Sequence, residues 1–124
     1  MESVSFSAKA KVPSVGEFAK RFPMYGPFAE GGGKFLFELI TNPESHFRLR
    51  VATEDLGFPA VAGIARCCHE EALRRKVQWS GYLKQYIGAV VCMSMEANGF
   101  RKTGTKRTVP HPNFTKGEVY IRAS

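Results

Sequence analysis

Three consecutive residues, Cys67, Cys68 and His69, are the ones best suited to metal or nucleophilic chemistry. Thiolates and imidazoles bind zinc, and a thiol beside an imidazole can attack a carbonyl. The spacing argues against both. Neighbours on a helix point about 100° apart, so this triplet cannot converge on one tetrahedral ion. No C-x-x-C or H-x-x-x-H spacing supplies the remaining ligands. Cys68 falls on an apolar stripe, and buried thiols are expected. A nucleophilic pair would need the fold to carry His46, His69 or His111 to a cysteine, and nothing local does so. The carboxylates are scattered or sit beside bases, so no acid/base dyad is visible. Gly33-Lys34 lacks the phosphate-loop pattern, since Phe28 stands where its first Gly is required and Phe35 where Ser or Thr is required. No catalytic residue, metal ligand or cofactor is assigned, and the expectation leans away from an enzyme.

The remaining chemistry is cationic. The chain has 124 residues and a net charge of +7. Residues 1–62 hold seven bases and seven acids, whereas residues 63–124 hold eleven bases and four acids. The whole excess therefore belongs to the second half. One group is Arg74, Arg75, Lys76 and Lys84; another is Arg101, Lys102, Lys106, Arg107, Lys116 and Arg122. Clustered cations release counterions from a phosphate backbone. Thr103, Thr105 and Thr108 add hydroxyl donors that can position such a backbone. Arg101 and Arg107 can also donate bidentately to guanine. The competing reading of the same charge is solubility.

These groups need elements to hold them. The length suits one domain, and 44% hydrophobic residues suit a globular chain. No run approaches the roughly 20 apolar residues of a membrane helix. Met1-Glu2-Ser3-Val4-Ser5-Phe6 lacks the order of a signal peptide. Three cysteines, two of them adjacent, argue against a disulfide framework, so a cytoplasmic location is expected. Residues 1–12 show weak alternation, a strand or a loose arm. Ser14-Val15-Gly16-Glu17 has capping-box form and predicts a helix over 14–21 that buries Val15, Phe18 and Phe22 and ends at Pro23. Residues 23–33 read as loop, with Gly31–Gly33 a flexible connector. Residues 35–41 fit a strand through Phe35, Phe37 and Leu39, or a helix through Leu36, Leu39 and Ile40. Because His46–Val51 alternates strictly, a hairpin of 35–41 with 46–52 is predicted, with a helix over 34–41 as the competitor. Thr53–Gly57 reads as connector.

A helix over 59–75 follows from the stripe Val61, Ile64, Ala65, Cys68, Ala72 and Leu73, with Glu70–Arg74 and Glu71–Arg75 in favourable i,i+4 order. Ser80 is a plausible N-cap for a helix from Gly81 to Ala97, closed by Asn98-Gly99. A polar segment 100–109, a Pro110–Asn113 loop and a strand over 118–122, with Val119 and Ile121 on one face, complete the chain. The expected class is α+β: an N-terminal helix and hairpin packed on a helix-turn-helix with a C-terminal β-hairpin. The chain is read as a single domain, 1–124, with a neutral accessory part (1–57) and a basic part (58–124).

The order helix, turn, helix, Gly, basic strand, loop, strand over residues 59–123 resembles the winged helix-turn-helix family. Met95-Glu96-Ala97-Asn98-Gly99-Phe100-Arg101-Lys102 is the best-matching piece. The resemblance implies that helix 81–97 lies against the major groove and that the 100–122 hairpin is a wing contacting phosphates or the minor groove. The residues of the helix disagree in part. Tyr86–Met93 is apolar nearly all round, as in a core helix. Only Lys84, Gln85, Ser94 and Glu96 break it, and one strip, Gly81, Gln85, Gly88, Cys92 and Glu96, is small or polar. Contact is therefore expected on the wing and on the 74–84 turn, through Arg74, Arg75, Lys76, Lys84, Arg101, Lys102, Thr103, Lys106, Arg107 and Lys116. Trp79, near Tyr82, can stack on an unpaired base or anchor the helix junction. The expected function is nucleic-acid binding, DNA foremost, with no membrane partner. Alternatives are an interaction module or homodimer using apolar helices, and a small-molecule binder or enzyme with a pocket beneath Gly31–Gly33.

Overall fold

The computed structural model describes residues 11–42, 59–108 and 116–122; for residues 59–63, 107, 116, 117 and 122 the backbone alone is described. The expectations for the first ten residues, the 46–52 strand, the Thr53–Gly57 connector and the Pro110–Asn113 loop lie outside the described residues. The class is α+β. Five α-helices occur among the described residues: α1 (Val15–Arg21), α2 (Gly26–Glu30), α3 (Lys34–Thr41), α4 (Pro59–Arg74) and α5 (Gly81–Ala97). Two antiparallel strands follow, β1 (Phe100–Thr108) and β2 (Lys116–Arg122).

Helix α1 starts as its sequence dictates. The Ser14 hydroxyl accepts from the Glu17 N–H at 3.0 Å, and the Glu17 carboxylate accepts from the Ser14 N–H at 3.1 Å. Such a box satisfies two donors that helix geometry leaves open. Phe18 is fully buried, with Phe22 5.1 Å, Phe37 5.5 Å and Tyr86 5.8 Å away between ring centroids. Each such pair adds about 0.5–1.5 kcal/mol beyond area burial.

Residues 23–30 are helical, contrary to the expectation of a loop, while Gly31–Gly33 forms a turn. Pro23–Tyr25 forms a 3-10 turn and α2 follows. Pro23 and Pro27 sit in the first turns of these elements, where a missing N–H costs nothing. The same residues that read as breakers are helix starters here. Gly31–Gly33 is not a loose connector either. Gly33 is buried, its carbonyl accepts from the Tyr86 hydroxyl at 2.7 Å, and a Cβ on it would collide with the Phe28 ring.

Residues 34–41 form helix α3, so the predicted strand is corrected in favour of its competitor. The physical reason is burial at helical spacing: Leu36, Phe37, Ile40 and Thr41 face inward, against α5. The Thr41 hydroxyl donates to the Phe37 carbonyl at 2.8 Å, closing the last turn. In α4, Ile64, Ala65, Cys68 and Ala72 are buried as the stripe requires, but Leu73 is 57% exposed. Helix α4 ends with Lys76 in the left-handed region (φ 60°), Lys76 N–H donating to Leu73 and Val77 N–H to Ala72. This is a Schellman stop in which a lysine occupies the usual glycine position.

Helix α5 is the axis of the molecule. Its N-cap is Ser80, whose hydroxyl accepts from the Leu83 N–H at 3.2 Å. Leu83, Tyr86, Ile87, Val90, Val91, Ser94 and Met95 are buried, the pattern of a core helix. The core joins these to residues of α1–α4 and to Phe100 and Tyr120 of the hairpin. At the C-terminus Gly99 takes the positive φ (93°), while the Asn98 side chain binds the Ser94 carbonyl and both backbone groups of Lys11.

Candidate nucleic-acid interface

The hairpin packs on α5 through the face that carries Phe100 and Tyr120. Lys102 stands opposite Tyr120 and Arg101 opposite Ile121. Directly opposed residues share a face, and Phe100 and Tyr120 are buried, so their face meets α5. Arg101 and Ile121, exposed, mark the outer face, with Val119 half-buried beside them. Val119 and Ile121 thus do share a face, and it is the outer one.

The register slips by two residues between Lys102 and Lys106, so Thr103–Thr105 stand across from Val119 alone. Gly104 carries the turn with φ 85°. The Thr103 hydroxyl donates to the Val119 carbonyl at 3.0 Å and accepts from the Thr105 N–H at 3.1 Å. Thr103 was expected to donate to phosphate. Its only proton is instead directed into the bulge, and its role in the structure is to hold the ribbon's shape.

The cations divide by pairing: among the described residues Arg74 and Arg75 are in ion pairs, whereas Lys76, Lys84 and the ribbon cations Arg101, Lys102 and Lys106 are not. Arg101, Lys102 and Lys106 are exposed, and among the described residues none is in an ion pair. Lys106 stands opposite Glu118, which offsets part of its charge. Arg107 and Lys116 lie in the paired strands opposite Gly117 and Thr108; their side chains are outside the description. Arg74 and Arg75, by contrast, both bind Glu71, Arg75 at 2.8 Å. Arg74 pairs three residues back, with Glu71, rather than with Glu70 as the i,i+4 expectation had it. The Arg75 guanidinium also lies 4.4 Å over the Phe35 ring. The two arginines hold the Glu71 carboxyl below its ordinary range. Lys76 is exposed and shapes the helix stop, and Lys84 is half-buried in the first turn of α5.

The two cationic groups do not merge. Lys84 and the hairpin lie at opposite ends of α5, about 20 Å apart at 1.5 Å per residue. Trp79 sits half-buried, packed on the core and edge-on to His69 at 4.8 Å, which favours the anchor role.

A polar cluster that the sequence did not single out lies beneath the hairpin. Arg21 of α1 pairs with Glu96 of α5 at 2.6 Å. The Cys92 thiol lies 3.5 Å from the Glu96 carboxylate and 3.9 Å from the Arg21 guanidinium. The bond to Arg21 lowers the Glu96 carboxyl and raises Arg21. Burial pushes the Cys92 thiol and the Tyr120 phenol up, so neither is an activated nucleophile. The available signal was Cys92 and Glu96 four residues apart on the polar strip; Arg21 is 71 residues away from Cys92 and carried none.

All three cysteines are free thiols. Cys68 is buried, and burial pushes it up to about 12. Cys67 is exposed, which corrects the expectation that both adjacent thiols are buried. Among the described residues, no helix is long and apolar enough to cross a membrane, and no group of three or more His, Cys, Asp or Glu could hold a metal ion. Comparison with models of known families, with curated proteins and with solved structures finds no match to this chain.

Proposed function

We propose that this chain binds nucleic acid, DNA foremost, by laying the β1–β2 ribbon along a phosphate backbone. The observation that carries the reading is the contrast in pairing: Arg101, Lys102 and Lys106 stand exposed without an ion pair among the described residues, on an element fixed to the core by Phe100 and Tyr120. Cations without carboxylate partners can replace the counterions of a polyanion without first breaking a bond. In this reading the ribbon acts as the wing of a winged-helix-like arrangement. Helix α5 is a core element and does not read bases. Arg74 and Arg75, engaged by Glu71, contribute little. A cytoplasmic location accompanies the reading and rests on the free thiols.

A second reading, self-association, has one observation in its favour. Met24 (63% exposed) and Tyr82 (46%) adjoin each other, the Tyr82 hydroxyl donating to the Met24 carbonyl at 3.0 Å. Sedimentation at increasing concentration separates the readings, since self-association raises the mass without nucleic acid.

The test of the first reading is binding of a random-sequence duplex followed by fluorescence anisotropy. Binding at 50 mM salt that weakens steeply by 200 mM is expected. Absence of binding at 50 mM salt rejects the proposal.

A further inference from the structure

The neutral half of the chain delivers one cation to the root of the ribbon. Asn98 closes α5 two residues before β1 begins. Its side-chain oxygen accepts from the Lys11 N–H at 2.6 Å, and its amide nitrogen donates to the Lys11 carbonyl at 2.8 Å and to the Ser94 carbonyl at 2.9 Å. The oxygen and both protons of the amide are thus engaged. Lys11, with its N–H and its C=O both taken by one partner, is held as a neighbouring strand would hold it. The chain is fixed again just beyond, where Pro13 is buried and Ser14 opens the capping box of α1. Lys11 and Val12 are therefore pinned from both sides.

Lys11 is exposed, and among the described residues it is in no ion pair. The carboxylate nearest to Asn98 in sequence, Glu96, is held by Arg21 at 2.6 Å. Arg101 lies three residues beyond Asn98, at most about 10 Å of extended chain. A duplex carries one charge per about 1.7 Å of its axis, so a surface of this extent meets several phosphates. From this arrangement we infer that Asn98 is a positioning residue: it fixes Lys11 at the root of β1, where the Lys11 ammonium joins Arg101 and Lys102 in binding phosphate. Ordering the segment before the ligand arrives removes an entropy cost from binding. That the ligand is a nucleic acid rests on the proposed function; the placement of Lys11 by Asn98 does not.

The test therefore has two arms. The first needs no ligand. Amide hydrogen exchange is followed by NMR in the native chain and in Asn98→Ala. The Lys11 N–H should be protected in the native chain and should exchange on the order of 10-fold faster in Asn98→Ala, the loss expected for about one hydrogen bond. An unprotected Lys11 amide in the native chain, or unchanged exchange in Asn98→Ala, overturns the inference. Dispersed amide spectra confirm that the variant is folded, and Asn98→Ser replaces Asn98→Ala if the latter is not.

The second arm reads duplex affinity against salt. Lys11→Met, at an exposed side chain, should flatten the log–log slope by about 0.9, the value of one phosphate contact. Lys11→Arg, which keeps a cation, should hold it near native. Asn98→Ala should flatten it as well although it removes no charge, and adding Lys11→Met in that background should change little more. Lys34→Met is the comparison. Lys34 is also an exposed cation of the neutral half, but Tyr86 binds its neighbour Gly33 twelve residues before Asn98, about 18 Å along α5 at 1.5 Å per residue. Its slope should stay native. An unchanged slope in Lys11→Met, or an equal loss in Lys34→Met, overturns the inference; a loss in Lys11→Met without one in Asn98→Ala contradicts the role given to Asn98. If the native chain does not bind duplex at all, the proposed function fails, and amide exchange still decides whether Asn98 holds Lys11.

Discussion

The two ends of helix α5 both carry clustered positive charge and use it differently. At the N-terminal end, Arg74 and Arg75 share Glu71, and Arg75 also covers Phe35. There the cations serve the fold, adding about 0.5–1 kcal/mol where a guanidinium meets an aromatic ring. At the C-terminal end, Arg21 neutralises Glu96, and the ribbon cations Arg101, Lys102 and Lys106 remain outside ion pairs among the described residues. Net charge therefore overstates available charge. What matters for a polyanion is which cations are already committed to a carboxylate.

If the ends differ in this way, variants should separate binding from stability. Charge reversal at the ribbon, Arg101→Glu with Lys102→Glu, should weaken duplex binding on the order of 100-fold at low salt and flatten the salt slope by about 2. Its urea midpoint should stay near native, because both side chains are exposed. Loss of folding in this variant would show that the ribbon cations are structural after all. The body of the protein should respond oppositely. Gly33→Ala forces a methyl into the Phe28 ring and displaces the carbonyl that Tyr86 binds. A loss of about 2 kcal/mol is expected from overpacking, measured by urea unfolding.

Smaller effects probe the joints. Thr103→Val removes the hydroxyl that closes the bulge and should cost about 1 kcal/mol, with faster amide exchange confined to the hairpin. Lys76→Gly relieves a left-handed backbone at a non-glycine residue and should raise stability by about 0.5–1 kcal/mol. The smallest effect concerns pH. The Glu96 carboxyl is lowered in the folded state by Arg21, so its contribution is present above the ordinary carboxyl range and is lost as pH falls through the lowered folded value. Because both side chains are more than a third exposed, about 0.5 kcal/mol is expected. The melting-temperature gap between the native chain and Glu96→Gln should accordingly close on acidification.

Much of the second half was legible because its signals are local. The Ser80 cap, the helix from Gly81 to Ala97, the turn at Gly99 and the basic hairpin each depend on neighbours in sequence. The apolar girth of α5 correctly argued for a buried helix. The first half was misread where residues have two uses. Pro23 and Pro27 break a helix interior but start a helix at its first turn. Phe35, Phe37 and Leu39 satisfy a strand period, and only packing of Leu36, Phe37 and Ile40 on α5 decides for helix. Leu73 belongs to the predicted stripe but lies about 100° round the helix from Ala72, off the face that meets the core, and is exposed. Within the candidate interface, residue type located the cations, but pairing was invisible. Whether Arg74 is committed and Lys102 is not depends on where Glu71 and Glu96 point. The Arg21–Glu96 contact joins residues 75 positions apart, which no local pattern encodes.

The central claim is that available charge resides on the ribbon and not on Arg74 and Arg75 at the end of α4. The most direct measurement is the salt dependence of duplex binding for the native chain, for Arg101→Glu/Lys102→Glu and for Arg74→Glu/Arg75→Glu. The account predicts a native log–log slope of about −3 to −4.5, from three to five phosphate contacts. It also predicts a loss of about 2 in the ribbon variant and a slope within error of native in the α4 variant. A flat native slope, or an equal loss in the α4 variant, would contradict it.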